Sequence, residues 1–242
     1  MKLTIPVAAI LITASLALVG CSGGGGGGNT PAPTVNNPTA AKTFTEDDLV
    51  KILKTANTTL NAGGTVTDIG LLSAQQGKSN DLYGRIIAEG GSLTPAACGT
   101  LFDKINTDVG TLGNNSGAYA ARLDYGGNIL SATSSSTPVD VSNITSLISG
   151  DLDSLSTQCA TANITIKDLN ATLTFTKDSE TTNAGTTYSY SENSTINGTP
   201  LTAVAVIGVD GNLLIGFEGL NGTTLAQGDT AVNAVVAAAA AN

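Results

Sequence analysis

The first 21 residues constrain this chain more than any other feature, because they decide the compartment in which the rest of it folds. Lys2 provides a short positive start, and an apolar run extends from Leu3 to Val19. Gly20 and Cys21 complete the pattern of small residues before a cysteine at which bacteria attach diacylglycerol and cleave, and no basic stop-transfer cluster follows. We therefore predict a signal peptide at residues 1–20 and lipid attachment to Cys21, with a domain anchored to the outer face of the cytoplasmic membrane, in the cell envelope. The alternative is a membrane-spanning helix at the short limit of length.

The segment after Cys21 has the composition of a linker. Ser22 is followed by six glycines and then by a Pro-, Thr- and Asn-rich stretch that ends near Lys42. As a flexible coil, about 21 such residues span roughly 25 Å root-mean-square. We predict a lipidated cysteine and flexible linker at residues 21–43, and a single extracytoplasmic domain at residues 44–242.

The remaining two cysteines, Cys98 and Cys159, are expected to form a disulfide. Export places them in an oxidising compartment, where pairing is the default and two buried free thiols are the alternative. A bridge that closes a loop of this size contributes roughly 4 kcal/mol in the chain-entropy model.

Four stretches have the apolar spacing of helices. The first begins after Thr45, which forms an approximate capping box with Asp48, and the second places Cys98 on its inward face. The helices are predicted to begin at Thr45, Thr94, Val141 and Thr224, with Pro95 at the first helical position of the second.

The rest of the chain predicts strands. Ala118–Leu123 and Asn128–Thr133 suggest a hairpin, and further strands are predicted over residues 164–166, 169–176, 186–196, 201–209 and 213–217. A bulge is predicted near Lys167–Asp168, where the apolar phase shifts, and tight turns are predicted at Asn197–Gly198 and Asp210–Gly211. The strand over 201–209 is apolar on both faces and should be central. We predict an α+β fold, in which a central antiparallel sheet of hairpin-linked strands is packed by N-terminal and C-terminal helices.

The composition argues against most catalytic chemistry. The chain has no histidine, the commonest general base and catalytic zinc ligand, and a formal net charge of −9, which does not suit nucleic acid. The acidic pairs Asp151/Asp153 and Asp178/Glu180 are interpreted as solvated faces, and Asp151-x-Asp153 lacks the glycine and glutamate of a calcium loop. We predict no catalytic residue, no metal and no cofactor.

Tyr188 and Tyr190 are the only residues that suggest a ligand site. They lie on one face of a predicted strand, with Phe175 and Phe217 on strands that we expect to be neighbours. Such an aromatic stripe is most simply core, and a ligand-lining surface is the alternative.

Several of these features together resemble the surface lipoproteins of actinobacteria. They are the Cys21 motif, the Gly/Pro/Thr linker, the helix opening with Leu93-Thr94-Pro95-Ala96-Ala97-Cys98, a helix that ends near Cys159, hairpin strands and an Ala-rich last helix. Over residues 44–242 the domain is similar to the extracellular sensor domain of mycobacterial PknH-type kinases. That resemblance implies an α+β fold with a central antiparallel sheet, a cleft and disulfides, and a domain that binds an unidentified ligand without enzymatic activity.

We therefore expect a non-enzymatic, membrane-anchored surface lipoprotein with a sensor-like domain. Its partners would be the membrane, through the lipid, and a small molecule, a lipid or an envelope protein. The alternatives are a lipid or glycolipid carrier with an apolar cavity, an enzyme that uses carboxylates alone, and a structural or adhesive role.

Overall fold

A computed structural model describes residues 42–71, 86–88, 90–102, 104, 118–135, 150, 153–167 and 169–242. Within these ranges the chain forms a nine-stranded sheet in which every pair of neighbouring strands is antiparallel, in the order β1-β3-β4-β9-β8-β7-β6-β5-β2. The strands are β1 (Thr65–Leu71), β2 (Ser92–Thr94), β3 (Ala118–Tyr125), β4 (Asn128–Ser135), β5 (Thr161–Ile166), β6 (Leu169–Asp178), β7 (Thr186–Ile196), β8 (Thr199–Asp210) and β9 (Leu213–Leu220). With α1 (Glu46–Thr59), α2 (Asp153–Gln158) and α3 (Leu225–Ala241), they confirm the predicted α+β fold.

The hairpin between β7 and β8 turns at the predicted position. Asn197 and Gly198 have φ angles of 48° and 82°, which suit a two-residue turn between tightly paired strands. The next turn differs by one residue from the prediction. Asp210 pairs with Leu213, so Gly211 and Asn212 form the turn and Asp210 belongs to β8.

The bulge predicted near Lys167–Asp168 is wrong. Ile166 pairs with Leu169, so the chain reverses there in a tight hairpin between β5 and β6, and Lys167 has a φ of 51°. Residue 168 lies outside the described residues. The apolar phase shifts because the chain turns back on itself, and a one-dimensional pattern does not distinguish a bulge from a two-residue turn.

β8 is the middle strand of the sheet, as its two apolar faces predict, and residues 203–210 are all buried. α1 and α3 pack together on one side of β3, β4, β8 and β9, where they form the main apolar core. Gly228 allows the close approach of α3, because a Cβ there would lie 2.6 Å from Val206 and 2.7 Å from Phe217. Among the described residues, no helix is long and apolar enough to cross a membrane.

Both long helices begin with a capping box. Thr45 accepts a hydrogen bond from the backbone of Asp48, and the Asp48 carboxylate accepts one from the backbone of Thr45. Thr224 and Gln227 repeat the arrangement at the start of α3. The predicted start of α1 is confirmed, because the cap depends only on residues close in sequence.

The opposite side of the sheet carries the disulfide. Cys98 lies in a helical segment at residues 96–102 and Cys159 directly follows α2, with a Cα–Cα distance of 5.5 Å and no exposure of either cysteine. Phe102 packs edge-to-face on Phe175 of β6, with ring centroids 6.2 Å apart. Thr94 lies in β2, so the helical segment begins one residue after Pro95. Of the helix predicted from Val141, α2 covers the end, and residues 141–149, 151 and 152 lie outside the described residues.

Among the described helices, none lies over β5, β6 and β7 on the side that carries α1 and α3. Over residues 161–165, 170–176 and 191–195 the side chains on this side are all Thr, Asn or Ser, and we call them the Thr/Asn face. Thr187, Ser189 and the acidic Asp178 continue the same side beyond it. The members are Thr161, Asn163 and Thr165 on β5, Asn170, Thr172, Thr174 and Thr176 on β6, and Ser191, Asn193 and Thr195 on β7.

Candidate functional site

Tyr188 and Tyr190 point to one side of β7, which we call the tyrosine face of the sheet. Phe175 on β6 belongs to the same face, because it pairs directly with Glu192, two residues after Tyr190. Tyr188 is 9% exposed, and it pairs with the buried Ile207 of β8. The two tyrosines therefore lie side by side, as the alternation along the strand predicts.

Phe217 does not belong to this aromatic stripe. It pairs with Val206 and is fully buried in the core beneath α1 and α3, on the other side of the sheet. Alternation within a strand shows which residues share a side. Whether residues on different strands face the same side of the sheet depends on the register between the strands. For Phe217 that register is set by the turn between β8 and β9.

The hydroxyl of Tyr190 is used within the fold. It donates a hydrogen bond to Oδ1 of Asp153 on α2 at 2.9 Å, and Oδ2 of Asp153 accepts one from Lys177 Nζ at 2.5 Å. Burial and, next, the bond to Asp153 raise the pKa of Tyr190 above the ordinary value of a tyrosine. The three side chains hold α2 against the sheet, so the hydroxyl of Tyr190 is already bonded within the fold. Asp151 lies outside the described residues.

Glu192 is the most unusual side chain of the tyrosine face. It is 1% exposed, and neither carboxyl oxygen has a hydrogen-bond partner among the described residues. Burial raises the pKa of Glu192 to about 8, so the carboxyl group is mostly protonated at neutral pH. A buried polar group without a partner destabilises the fold by about 1–3 kcal/mol.

Glu218 on β9 is a second buried carboxyl group on this face. It is 7% exposed, and within the described part of the chain its Oε1 has no hydrogen-bond partner. Burial raises the pKa of Glu218 to about 8, although the charge of Arg122 acts in the opposite direction. Arg122 itself is bonded to Asp124 on the same strand.

The register places the two glutamates on either side of β8. Glu192 pairs with Ala203, and Glu218 pairs with Ala205, so all four side chains share the tyrosine face. Neighbouring strands lie about 4.8 Å apart and Ala203 and Ala205 are two residues apart along β8, so the backbones of Glu192 and Glu218 lie roughly 12 Å apart. No side chain of β8 longer than a methyl group stands between the two carboxyl groups.

Burial acts on the carboxyl groups of Glu192 and Glu218 in the same way. A general acid and a general base in one site have pKa values that their surroundings push apart. Here the same cause, burial, moves the pKa values of Glu192 and Glu218 in the same direction and to a similar value. Two protonated carboxyl groups can each donate and accept hydrogen bonds, and each can become a carboxylate when a cation replaces its proton.

Neither glutamate was predicted as a site residue, although the sequence carries a signal. Glu192 continues the alternation of Tyr188 and Tyr190, and Glu218 lies in the apolar strand β9. An ionisable residue at an inward position of an apolar strand is rare, and it points to a specific role.

Of the other acidic pair considered from sequence, Asp178 is the last residue of β6 and Glu180 lies in the segment that follows. Glu180 lies between β6 and β7, where its carboxyl group reaches Asp229 on α3. Partial burial, followed by the hydrogen bond to Glu180, raises the pKa of Asp229 to about 6. Next to this contact, the backbone N–H of Asn183 donates to Asn233 Oδ1 at 2.6 Å, which fastens the segment before β7 to α3.

A separate pocket of about 380 Å³ lies at the start of α1, away from the glutamates. Residues 43–47 and Tyr119 line it, with Glu46 and Asp47 as its acidic members. A hydrogen bond to Asp68 raises the pKa of Glu46, so the carboxyl group of Glu46 already interacts with that of Asp68. Cys21 and the predicted signal peptide lie outside the described residues.

The chain matches no protein-family model and no curated protein. Among solved structures it is similar to the extracellular domain of PknH from Mycobacterium tuberculosis, with 10% identity and a TM-score of 0.49 over 83% of this chain and 99% of that one. It is also similar to an uncharacterised protein from Mycobacterium smegmatis, the Rv0999 ortholog, with 13% identity and a TM-score of 0.43 over 81% of this chain and 99% of that one. At these values the similarities identify neither a ligand nor a role for this chain.

Proposed function

We propose that this chain is a lipid-anchored, non-enzymatic lipoprotein of the cell envelope, whose sensor-like domain binds a ligand between Glu192 and Glu218. The export signal and the Cys21 motif support the location, and the disulfide between Cys98 and Cys159 suits an oxidising compartment. The two buried carboxyl groups without complete hydrogen bonding support the binding role.

The ligand carries hydrogen-bond donors, and ammonium groups suit the site best. Each unpartnered carboxyl oxygen on the tyrosine face lacks a donor, and a hydrogen bond to a charged group contributes about 1.5–3 kcal/mol. A cation beside Glu192 or Glu218 would also favour the carboxylate, and so return the pKa towards its ordinary value. Ligand binding near pH 7 would then release protons.

Native mass spectrometry of the full-length lipoprotein, purified from its own host in detergent, tests the binding role. We expect a bound amine- or hydroxyl-bearing species that the double variant Glu192→Gln/Glu218→Gln loses. The matched control is Asp47→Asn, which removes an exposed carboxylate and should retain the species. Retention by both variants, or absence of any species, would contradict the assigned site. A co-purifying apolar lipid would instead favour the carrier alternative.

Metabolic labelling tests the location separately. Labelled palmitate should mark the wild-type chain and should not mark Cys21→Ser. An unlabelled wild-type chain would refute lipid anchoring, whatever the result for the glutamates.

A further inference from the structure

The Thr/Asn face is an exposed surface without charge on an acidic protein. Its ten side chains are hydroxyls and carboxamides, whereas the whole chain has a formal net charge of −9. At the edge of the sheet, β2 extends the same chemistry with the exposed Ser92 and Thr94, which pair with Thr165 and Asn163. No large apolar side chain belongs to this face, which distinguishes it from the aromatic-rich centre of a protein–protein interface.

The face has a regular geometry, because the strands position it. Asn163, Thr172 and Thr195 form a row across β5, β6 and β7. Strands lie about 4.8 Å apart, and alternate residues along a strand lie roughly 6.7 Å apart, so the hydroxyl and amide groups form a two-dimensional lattice. A pocket of about 330 Å³ lies over this row, and Asn170 and Asn197 also line it.

Most of these polar groups are available to an external partner. Within the face, whose members all belong to the described residues, Thr172 Oγ1 donates to Asn163 Oδ1 at 2.8 Å, and the remaining side chains make no hydrogen bond to one another. Each hydroxyl and each carboxamide can both donate and accept. A complementary surface is therefore neutral, extended and rich in groups that both donate and accept hydrogen bonds.

We propose that the Thr/Asn face binds a neutral polysaccharide of the cell envelope. The absence of charge on the face gives no attraction for polyanions or polycations, and the absence of apolar side chains gives none for lipid. The predicted linker ends where the described domain begins, and with a span of roughly 25 Å it would keep the domain next to the membrane, inside the envelope. The inference uses the export signal of the proposed function, but not the ligand site between the glutamates.

Affinity electrophoresis of the full-length lipoprotein in detergent tests this inference. Native gels contain dextran, mannan or arabinogalactan as neutral probes, and alginate as the polyanionic control. We expect at least one neutral polymer to retard the protein, alginate not to, and the retardation to persist at about 1 M salt, where charge interactions are screened.

The double variant Thr172→Val/Thr195→Val identifies the surface, because it removes two hydroxyls from the central row and keeps side-chain shape. We expect at least tenfold weaker retardation than wild type. The matched control is Thr67→Val, which changes an exposed threonine on β1 at the other end of the sheet and should bind as wild type. Equal thermal melting of the three proteins shows that they are folded.

Three results would overturn the inference. They are no retardation by any neutral polymer, unchanged retardation of the double variant, and retardation that high salt abolishes. If sedimentation shows a dimer that Thr172→Val/Thr195→Val disrupts, the face pairs with a second copy of the chain instead. A negative result leaves the ligand site at Glu192 and Glu218 unaffected, because the native mass spectrum reports on that site alone.

Discussion

Replacing Glu192 and Glu218 by glutamine should remove a pH dependence of stability that the two carboxyl groups create. Burial raises both pKa values to about 8 in the folded protein, from an ordinary value of 4.5. The folded protein therefore keeps protons that the unfolded chain releases over the same range. Stability from these groups is greatest below pH 4.5 and decreases as the pH rises towards 8.

The expected size of the effect follows from the shift. Between pH 6.5 and pH 8, the free energy of unfolding should fall by about 1.5 kcal/mol for each glutamate and about 3 kcal/mol for both, at 1.36 kcal/mol for each pKa unit. Among the groups that the structure describes, this window isolates the glutamates, because the chain has no histidine and Asp229, with a pKa of about 6, titrates mainly below it.

Urea unfolding of the oxidised protein at several pH values measures this dependence. The wild type and the exposed control Asp47→Asn should lose stability in parallel. The double variant Glu192→Gln/Glu218→Gln should be nearly flat from pH 6.5 to 8, and each single variant should lie between the two. A flat wild-type profile, or an undiminished slope in the double variant, would show that the buried carboxyl groups do not carry the raised pKa values.

Three further predictions concern the scaffold. Reduction of the disulfide between Cys98 and Cys159, which are 61 positions apart, should lower the free energy of unfolding by about 4 kcal/mol. Urea unfolding with and without reductant measures this loss, and an unchanged midpoint would contradict the prediction. Thr45→Ala should lower stability by about 1 kcal/mol through loss of the capping box, whereas Thr55→Ala on the exposed side of α1 should not, and equal melting of the two variants would count against the cap. Gly228→Ala should destabilise by about 1–3 kcal/mol, because the added Cβ would overlap side chains of β8 and β9. This loss should outweigh the higher helix propensity of alanine. A rise in melting temperature would show that α3 can move away from the sheet.

Features that depend on residues close in sequence could be predicted. The capping box at Thr45, the turn at Asn197–Gly198 and the alternation of Tyr188 and Tyr190 each involve only a few neighbouring residues, and all three occur in the structure. The centrality of β8 also followed, because a strand that is apolar on both faces must be covered on both.

The shift of phase at Lys167 shows where such reasoning stops. A bulge and a two-residue turn produce the same one-dimensional pattern, and only the pairing of Ile166 with Leu169 distinguishes them. Phe217 was misplaced for a related reason, since its side of the sheet depends on the register between β8 and β9.

By itself, the sequence determined the class of fold, the limits of most strands and the absence of histidine, and it predicts an export signal that lies outside the described residues. The tertiary structure alone decided that Glu192 and Glu218 are buried on either side of β8 and that β5, β6 and β7 bring the side chains of the Thr/Asn face together. The physical reason is that pairings such as β4 with β9 and β2 with β5 join segments far apart in the chain. Whether a side chain is buried depends on the segments that such pairings bring over it, and local periodicity carries no record of them.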